Sequence, residues 1–141
     1  MKCSSRYMMI CAGLLSVILL SSGCHDGQDI KQFSEIGNGL AKGITQLGKE
    51  QGINMTGFSS DPDKKIFKVG IGIDHTKITS EQLKQVVESY LKDAASFTTQ
   101  PDPEIMLKPY NLQIEEIDKE KHSTSLIAEK QSGSTEIIWR Q

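Results

Sequence analysis

Cysteine is scarce in this sequence, and its positions leave it no role inside a folded domain. The 141 residues include three cysteines, Cys3, Cys11 and Cys24. Because all three lie within the first 24 residues, the rest of the chain has no thiol for a disulfide bond, a nucleophile or a metal site. We therefore expect the folded part to be stabilised by packing alone.

Patterns typical of catalytic and metal sites are also missing. The histidines His25, His75 and His122 are dispersed, without the short spacing to a second ligand that a zinc site requires. Asp74 and His75 adjoin at the end of a predicted strand, which would suit acid–base chemistry, but no serine or cysteine lies in a nucleophile motif. We predict no metal or other cofactor and no enzymatic activity. If the protein is an enzyme, Asp74 and His75 are the first residues to test.

An excess of positive charge is absent as well. The whole chain has 18 acidic and 16 basic residues, and Lys2 and Arg6 are the only charged residues among the first 23. Residues 24–141 therefore hold 18 acidic and 14 basic residues, a net charge of −4. Since a nucleic acid requires a basic surface, we predict no nucleic-acid partner.

The strongest pattern that is present lies at the N-terminus. Two basic residues precede an apolar run from Met8 to Leu20, and three small residues follow it. This order is typical of a secretory signal. The apolar run is shorter than the roughly 20 residues of a membrane span, and no cluster of positive charge follows it. We predict that residues 1–23 are a signal peptide that is removed.

The end of that segment, Leu20-Ser21-Ser22-Gly23-Cys24, resembles the lipobox of bacterial lipoproteins. In that family a diacylglycerol is joined to the cysteine thiol, and a dedicated signal peptidase cuts just before it. The resemblance implies lipidation at Cys24, with Leu20, Ser21, Ser22 and Gly23 as the residues that the peptidase recognises. Ser21 occupies the position where the family usually has leucine. The resemblance covers the first 24 residues and implies attachment to the extracytoplasmic side of the cell membrane through at least two acyl chains.

The residues next to Cys24 indicate in which membrane the protein would be anchored and how close its folded domain would lie to it. His25 follows Cys24, and in a cell with an outer membrane this residue would not retain the lipoprotein at the inner one. A composition rich in lysine and isoleucine and poor in alanine favours a low-GC Gram-positive cell instead. Residues 24–29 form the lipidated cysteine and a short tether, which spans about 15 Å if extended. We therefore expect the folded domain to lie close to the membrane.

Residues 30–141 are predicted to form one globular α+β domain. A first helix, with Asp29 as its N-cap, carries apolar residues at helical spacing but also four glycines, of which Gly39 and Gly43 allow close approach of another element. We expect it to pack on the domain's own sheet, with contact to the bilayer or a partner helix as the alternative. A second helix follows the capping box that begins at Thr79, and its apolar stripe ends at Phe97. Pro101 and Pro103 are predicted to end any helix and to start an extended crossing.

Five stretches alternate as strands do. They are residues 53–58, 66–73, 110–114, 124–130 and 135–139, with turns at 61–64, 118–121 and 132–134. The second has glycines at positions 70 and 72 on its polar side, which favours close approach of the first helix or a partner there. Together these elements predict a two-layer α+β fold: a mainly antiparallel sheet of about five strands, one central amphipathic helix and an N-terminal helix.

Two classes of function fit this sequence. The first is a membrane-anchored surface lipoprotein that serves as a non-enzymatic binding module near the membrane, with an envelope protein as a possible partner. The alternative is an envelope enzyme or accessory that acts on wall or lipid substrates. A sensor, or an exclusion protein of a mobile element, would share this sequence pattern.

Overall fold

The computed structural model describes residues 25–140. The chain forms helix α1 (His25–Leu47), strands β1 (Ile53–Asp61) and β2 (Ile66–Ile73), helices α2 (Ser80–Ser96) and α3 (Pro103–Leu107), and strands β3 (Asn111–Asp118), β4 (Ser123–Lys130) and β5 (Ile138–Trp139). The strands form one sheet in the order β1-β2-β3-β4-β5. All neighbours are antiparallel except β2 and β3, which are parallel because α2 and α3 connect them. The predicted α+β class and the mainly antiparallel five-stranded sheet are confirmed.

The core lies between one face of the sheet and the helices. Strand β2 supplies Phe67, Val69 and Ile71, each with no exposed surface, and β3 supplies Leu112 and Ile114. The helices cover this face with residues at helical spacing: Phe33, Ile36, Leu40, Leu47, Leu83, Val87, Tyr90, Leu91 and Ala94. Near the start of β2, the rings of Phe33 and Phe67 stack with their centroids 4.3 Å apart. The strict alternation in β2 therefore marks a buried face, as predicted.

Helix α1 begins earlier than predicted. It begins at His25, so Asp29 lies inside the helix and is not its N-cap. The Asp29 carboxylate instead lies 3.3 Å from the Lys65 amine, just before β2. The N-cap prediction was wrong because the apolar stripe, on which it relied, starts one turn after the helix does.

The close approach predicted at Gly39 and Gly43 is confirmed, but the partner is α2 and not the sheet. A Cβ at Gly39 would lie 2.7 Å from the carbonyl oxygen of Ala94, and one at Gly43 would lie 2.9 Å from the ring of Tyr90. The Tyr90 hydroxyl donates to the Leu40 carbonyl at 2.9 Å. We call this contact between α1 and α2 the helix seam.

Helix α2 begins as its sequence predicts. Thr79 is the N-cap, its hydroxyl accepts from the Gln82 N–H, and the Gln82 side chain accepts from the Thr79 N–H. The apolar stripe ends one turn earlier than predicted, because Phe97 is the C-cap and is 48% exposed. A 17-residue helix therefore spans the sheet with its last turn at the rim.

Two predictions for the second half of the chain were wrong. The segment after Pro101 is not fully extended, because Pro103 starts the short helix α3 and the Asp102 side chain caps it. The predicted last strand, residues 135–139, is reduced to Ile138 and Trp139. Helix α2 ends at Ser96, before either proline, and the fixed φ of Pro103 suits the first position of a new helix.

The polar face of β2 does not meet a helix or a foreign backbone within residues 25–140, because both long helices lie on the other face. The side chain of Ile117 covers Gly70, where a Cβ would lie 2.7 Å from its Cδ1 atom. Asn54 and Met55 crowd Gly72 in the same way. The glycines of β2 are thus filled from neighbouring strands of the same sheet, and the predicted contact with the first helix was wrong.

Candidate functional site

The residues predicted for lipidation and signal cleavage, Cys24 with Leu20, Ser21, Ser22 and Gly23, lie outside the described residues. Cys24 directly precedes His25, where α1 begins. None of the helices between residues 25 and 140 is long and apolar enough to cross a membrane.

Asp74 and His75 follow the end of β2, but they do not act on each other. The Asp74 carboxylate accepts from the Thr76 hydroxyl at 2.5 Å and from the Thr76 N–H at 3.1 Å, and the Lys77 amine lies 2.9 Å away. These hydrogen bonds, first that of the Thr76 hydroxyl, lower the pKa of Asp74 to about 2. Asp74 therefore stays ionised and holds the turn that leads into α2.

His75 pairs with a different carboxylate. Its Nε2 atom lies 2.6 Å from Oε1 of Glu116 in β3. The parallel register between β2 and β3 places Glu116 opposite Ile71, so the two strands deliver both side chains to the same corner of the sheet. The Glu116 side chain is 25% exposed and that of His75 is 67% exposed. Sequence analysis missed Glu116, which lies between the predicted strand 110–114 and the predicted turn 118–121.

The alternation of β3 contained a signal that could have found Glu116. Leu112, Ile114 and Glu116 are spaced by two, which puts the carboxylate on the same face as two core residues. A carboxylate at the end of a buried face, near the sheet's rim, is a candidate site residue. The partner could not be found in this way, since nothing in the local pattern predicts that β2 and β3 are parallel.

The His75–Glu116 pair lies at one wall of a cleft of about 570 Å³. The last residues of the chain form the opposite wall, where the Trp139 ring lies 5.8 Å from the Lys84 amine in a cation–π arrangement. Arg140 is paired with Glu129. Apolar side chains form the floor and polar ones the rim; the lining comprises Ile73, His75, Ser80, Glu81, Leu83, Lys84, Glu116, Ile127, Trp139 and Arg140.

One buried lysine holds the segment that carries Trp139 and Arg140. Lys130, at the end of β4, is 2% exposed. Its amine donates to the carbonyls of Gln131 and Ser134 at 2.8 Å each and to that of Lys108 at 3.5 Å. Burial lowers the pKa of Lys130 to about 8, because no carboxylate compensates the charge. This amine therefore holds the turn that leads to β5, and the pairing of β5 with β4 holds Trp139 itself.

The chemistry of the cleft favours binding. An open imidazole beside a carboxylate, an aromatic ring and two cations can bind an amphipathic ligand or an extended peptide. Within residues 25–140 no three histidine, cysteine or carboxylate side chains converge to hold a metal ion. The ring of Tyr90 is buried in the helix seam, and burial raises its pKa.

Comparisons of the chain with protein-family models, with curated proteins and with solved structures find no match.

Proposed function

We propose that this protein is a lipoprotein anchored through Cys24 to the extracytoplasmic side of the cell membrane, and that its folded part binds a partner or ligand in the cleft around His75 and Trp139. The lipobox-like segment supports the anchor. The cleft supports binding, because aromatic, cationic and anionic side chains from four separate segments converge there.

The direction of α1 and β2 also supports binding at this end of the molecule. Helix α1 and strand β2 run in the same direction: Asp29 meets Lys65 at their beginnings, and the Asp74 N–H donates to the Gly52 carbonyl beyond their ends. The cleft lies at the end of β2 and Cys24 precedes the start of α1. The cleft is therefore about 25 Å, the length of an eight-residue strand, from the anchored end of the fold. This separation leaves the cleft open to other molecules of the envelope.

The anchor is tested by metabolic labelling. Labelled palmitate is expected to enter the wild-type protein and the Cys11→Ala variant, since Cys11 belongs to the removed signal, but not Cys24→Ala. Labelling that persists in Cys24→Ala would show that the lipid is attached elsewhere or that the band is not a lipoprotein.

Binding in the cleft is tested with a photo-crosslinking amino acid in living cells. We place it at Lys84, in the wall of the cleft, and at Lys64, an exposed residue in the turn at the opposite end of β2. A discrete adduct is expected at Lys84 only, and Trp139→Ala should abolish it whereas Ile138→Ala, on the adjacent exposed side chain, should not. Equal adducts at both positions would contradict a binding site in the cleft.

The contact between His75 and Glu116 favours a second candidate, an envelope enzyme or accessory that acts on wall or lipid substrates. A carboxylate beside an imidazole is the arrangement that orients a general base. This candidate predicts that His75→Ala and Glu116→Ala each abolish turnover of such a substrate while binding in the cleft remains. If both variants support a normal cell envelope and the adduct at Lys84 is unchanged, the enzymatic candidate is excluded.

A further inference from the structure

The two edges of the sheet differ in how they are closed. Strand β5 has two residues, and the Arg140–Glu129 ion pair lies beside it. Strand β1 has nine residues and pairs only with β2, so in the part of the chain that the structure describes its outer edge is free. Proteins usually protect such an edge with lysine, proline, a β-bulge or a covering segment. Strand β1 has no lysine, arginine or proline, and its one charged residue, Asp61, is the last. Its bulge lies at Asn54, near the start, so residues 55–61 pair regularly.

The flank of α1 above this edge is uncharged as well. Gly37 and Gly48 lie over β1, since added Cβ atoms would come within 4.0 Å of Phe58 and Thr56 respectively. The helical repeat places Ile30, Ala41 and Ile44 on the same flank. Ile30 is 64% exposed, and Ile44 and Phe58 are only half-buried. We call this surface, formed by the outer edge of β1 and this flank of α1, the β1 flank.

The glycines on the two flanks of α1 differ in whether the fold leaves room for a side chain. Gly39 and Gly43 in the helix seam have no room for a side chain, whereas a Cβ at Gly37 would make an ordinary contact at 3.4 Å and one at Gly48 at 3.5 Å. A glycine inside a helix costs up to about 1 kcal/mol relative to alanine. An added methyl group at Gly37 would lie against the buried ring of Phe67, so the fold itself does not require this glycine.

We infer that the β1 flank binds a second copy of this chain. Antiparallel pairing of β1 with its copy continues the hydrogen bonding across a two-fold axis near Gly57, the middle of the strand, and gives one ten-stranded sheet with all helices on one face. The same axis brings the α1 flanks together near Ala41. An uncharged surface has no charge that a different protein could complement. Two copies of it can pack against each other without electrostatic repulsion.

The size of the β1 flank agrees with a dimer. A nine-residue strand is about 30 Å long, and the strand with the helix above it is on the order of 20 Å deep. The contact then covers about 600 Å² on each protomer, or about 1,200 Å² in total, which is the lower limit of stable interfaces. This inference does not depend on the cleft or on the lipid.

The test is disulfide crosslinking of the full-length protein in membranes, with one cysteine introduced per variant. Ala41→Cys and Gly57→Cys place a thiol near the expected axis, and a Cβ at Gly57 fits, since its nearest neighbour is Ile117 at 4.0 Å. Ile138→Cys on the short edge strand is the matched control, and the parent chain reports any crosslink through its own cysteines. We expect a covalent dimer at positions 41 and 57 only. No dimer at these two positions, an equal yield at 138, or a product larger than the dimer would each overturn the inference.

A second pair of variants separates dimerisation from folding. Gly37→Ala should raise the melting temperature of the protein and leave crosslinking at position 41 unchanged, because the methyl group stabilises the helix and lies against Phe67 inside the fold. Thr56→Lys, which adds the charge that protects natural edges, should reduce crosslinking at position 57 by at least fivefold. If Thr56→Lys leaves this yield unchanged in folded protein, the β1 flank is not the interface.

Discussion

The helix seam and the C-terminal segment are held in opposite ways. In the seam, Gly39 and Gly43 bring α1 so close to α2 that an added methyl group would meet the Ala94 carbonyl or the Tyr90 ring. Residues 131–140 are instead attached mainly by hydrogen bonds, through the two-residue strand β5, the amine of Lys130, and the contacts of Ser132 and Gly133 with residues 108–111. This second region contributes Trp139 and Arg140 to the cleft. The side chains best placed for binding therefore sit on a part of the sheet that hydrogen bonds hold in place.

The largest loss of stability is expected when a side chain is introduced into the helix seam. In Gly39→Ala the new Cβ would lie 2.7 Å from both the Ala94 carbonyl oxygen and the Thr98 methyl group. Since a backbone carbonyl cannot move aside cheaply, we expect the free energy of unfolding to fall by about 2 kcal/mol, after the gain in helix propensity is subtracted. Chemical denaturation measures this change. Gly37→Ala is the matched control, and an equal loss there would mean that both flanks of α1 are equally tight.

A smaller and more local effect is expected at Lys130. Lys130→Met removes the donor to the Gln131 and Ser134 carbonyls, which should loosen residues 131–140 by about 1.5 kcal/mol while the seam keeps its stability. Hydrogen exchange measures this directly: the Arg140 N–H, which donates to the Ile127 carbonyl, should exchange roughly tenfold faster. Lys92→Met, at an exposed lysine of α2, is the control. Uniform acceleration across α1 and α2 would show that the C-terminal segment belongs to the same cooperative unit as the seam.

The buried charge on Lys130 makes the free energy of unfolding depend on pH. The pKa of Lys130 is lowered to about 8 in the folded state, from an ordinary value of 10.5. Between these values the unfolded chain binds the proton and the folded one does not, so the free energy of unfolding rises with pH, by at most about 1.4 kcal/mol per unit. Below pH 8 the cost of the buried charge is present in full.

Denaturation of wild-type protein between pH 8 and 9 should therefore show a positive slope that Lys130→Met lacks. This range stays a full pH unit below the ordinary tyrosine pKa of 10.0, so ionisation of Tyr90 and Tyr110 in the unfolded chain contributes little to the slope. Parallel pH profiles for the two proteins would mean that the Lys130 amine is not buried as a cation.

The contrast also explains which parts of the fold could be predicted from sequence. Helix α2 and strand β2 were predicted closely, because a capping box and a strict alternation are local signals. The Gly39–Gly43 spacing indicated a close approach but not its partner. The start of α1 was missed, since polar residues 25–29 contain no apolar stripe to mark a helix.

The cleft could not be predicted, because it depends on contacts between distant segments. His75 and Glu116 meet only because β2 and β3 are parallel, and that pairing depends on how α2 packs. Trp139 reaches the cleft because Lys130 fixes the turn before it. Sequence reasoning paired His75 with its neighbour Asp74, whereas the local turn of Thr76 and Lys77 occupies that carboxylate.

The smallest effect is expected when the polar contact inside the helix seam is removed. The Tyr90 hydroxyl is the one side-chain donor from α2 to the α1 backbone among the described residues, at 2.9 Å from the Leu40 carbonyl oxygen. Tyr90→Phe keeps the ring against Gly43 and removes only this hydrogen bond, so we expect the free energy of unfolding to fall by about 1 kcal/mol. Tyr90→Leu, which also removes the ring, should cost clearly more. If the two variants lose the same stability, the seam is held by the hydrogen bond and not by the packing of small residues, and the contrast with the C-terminal segment disappears.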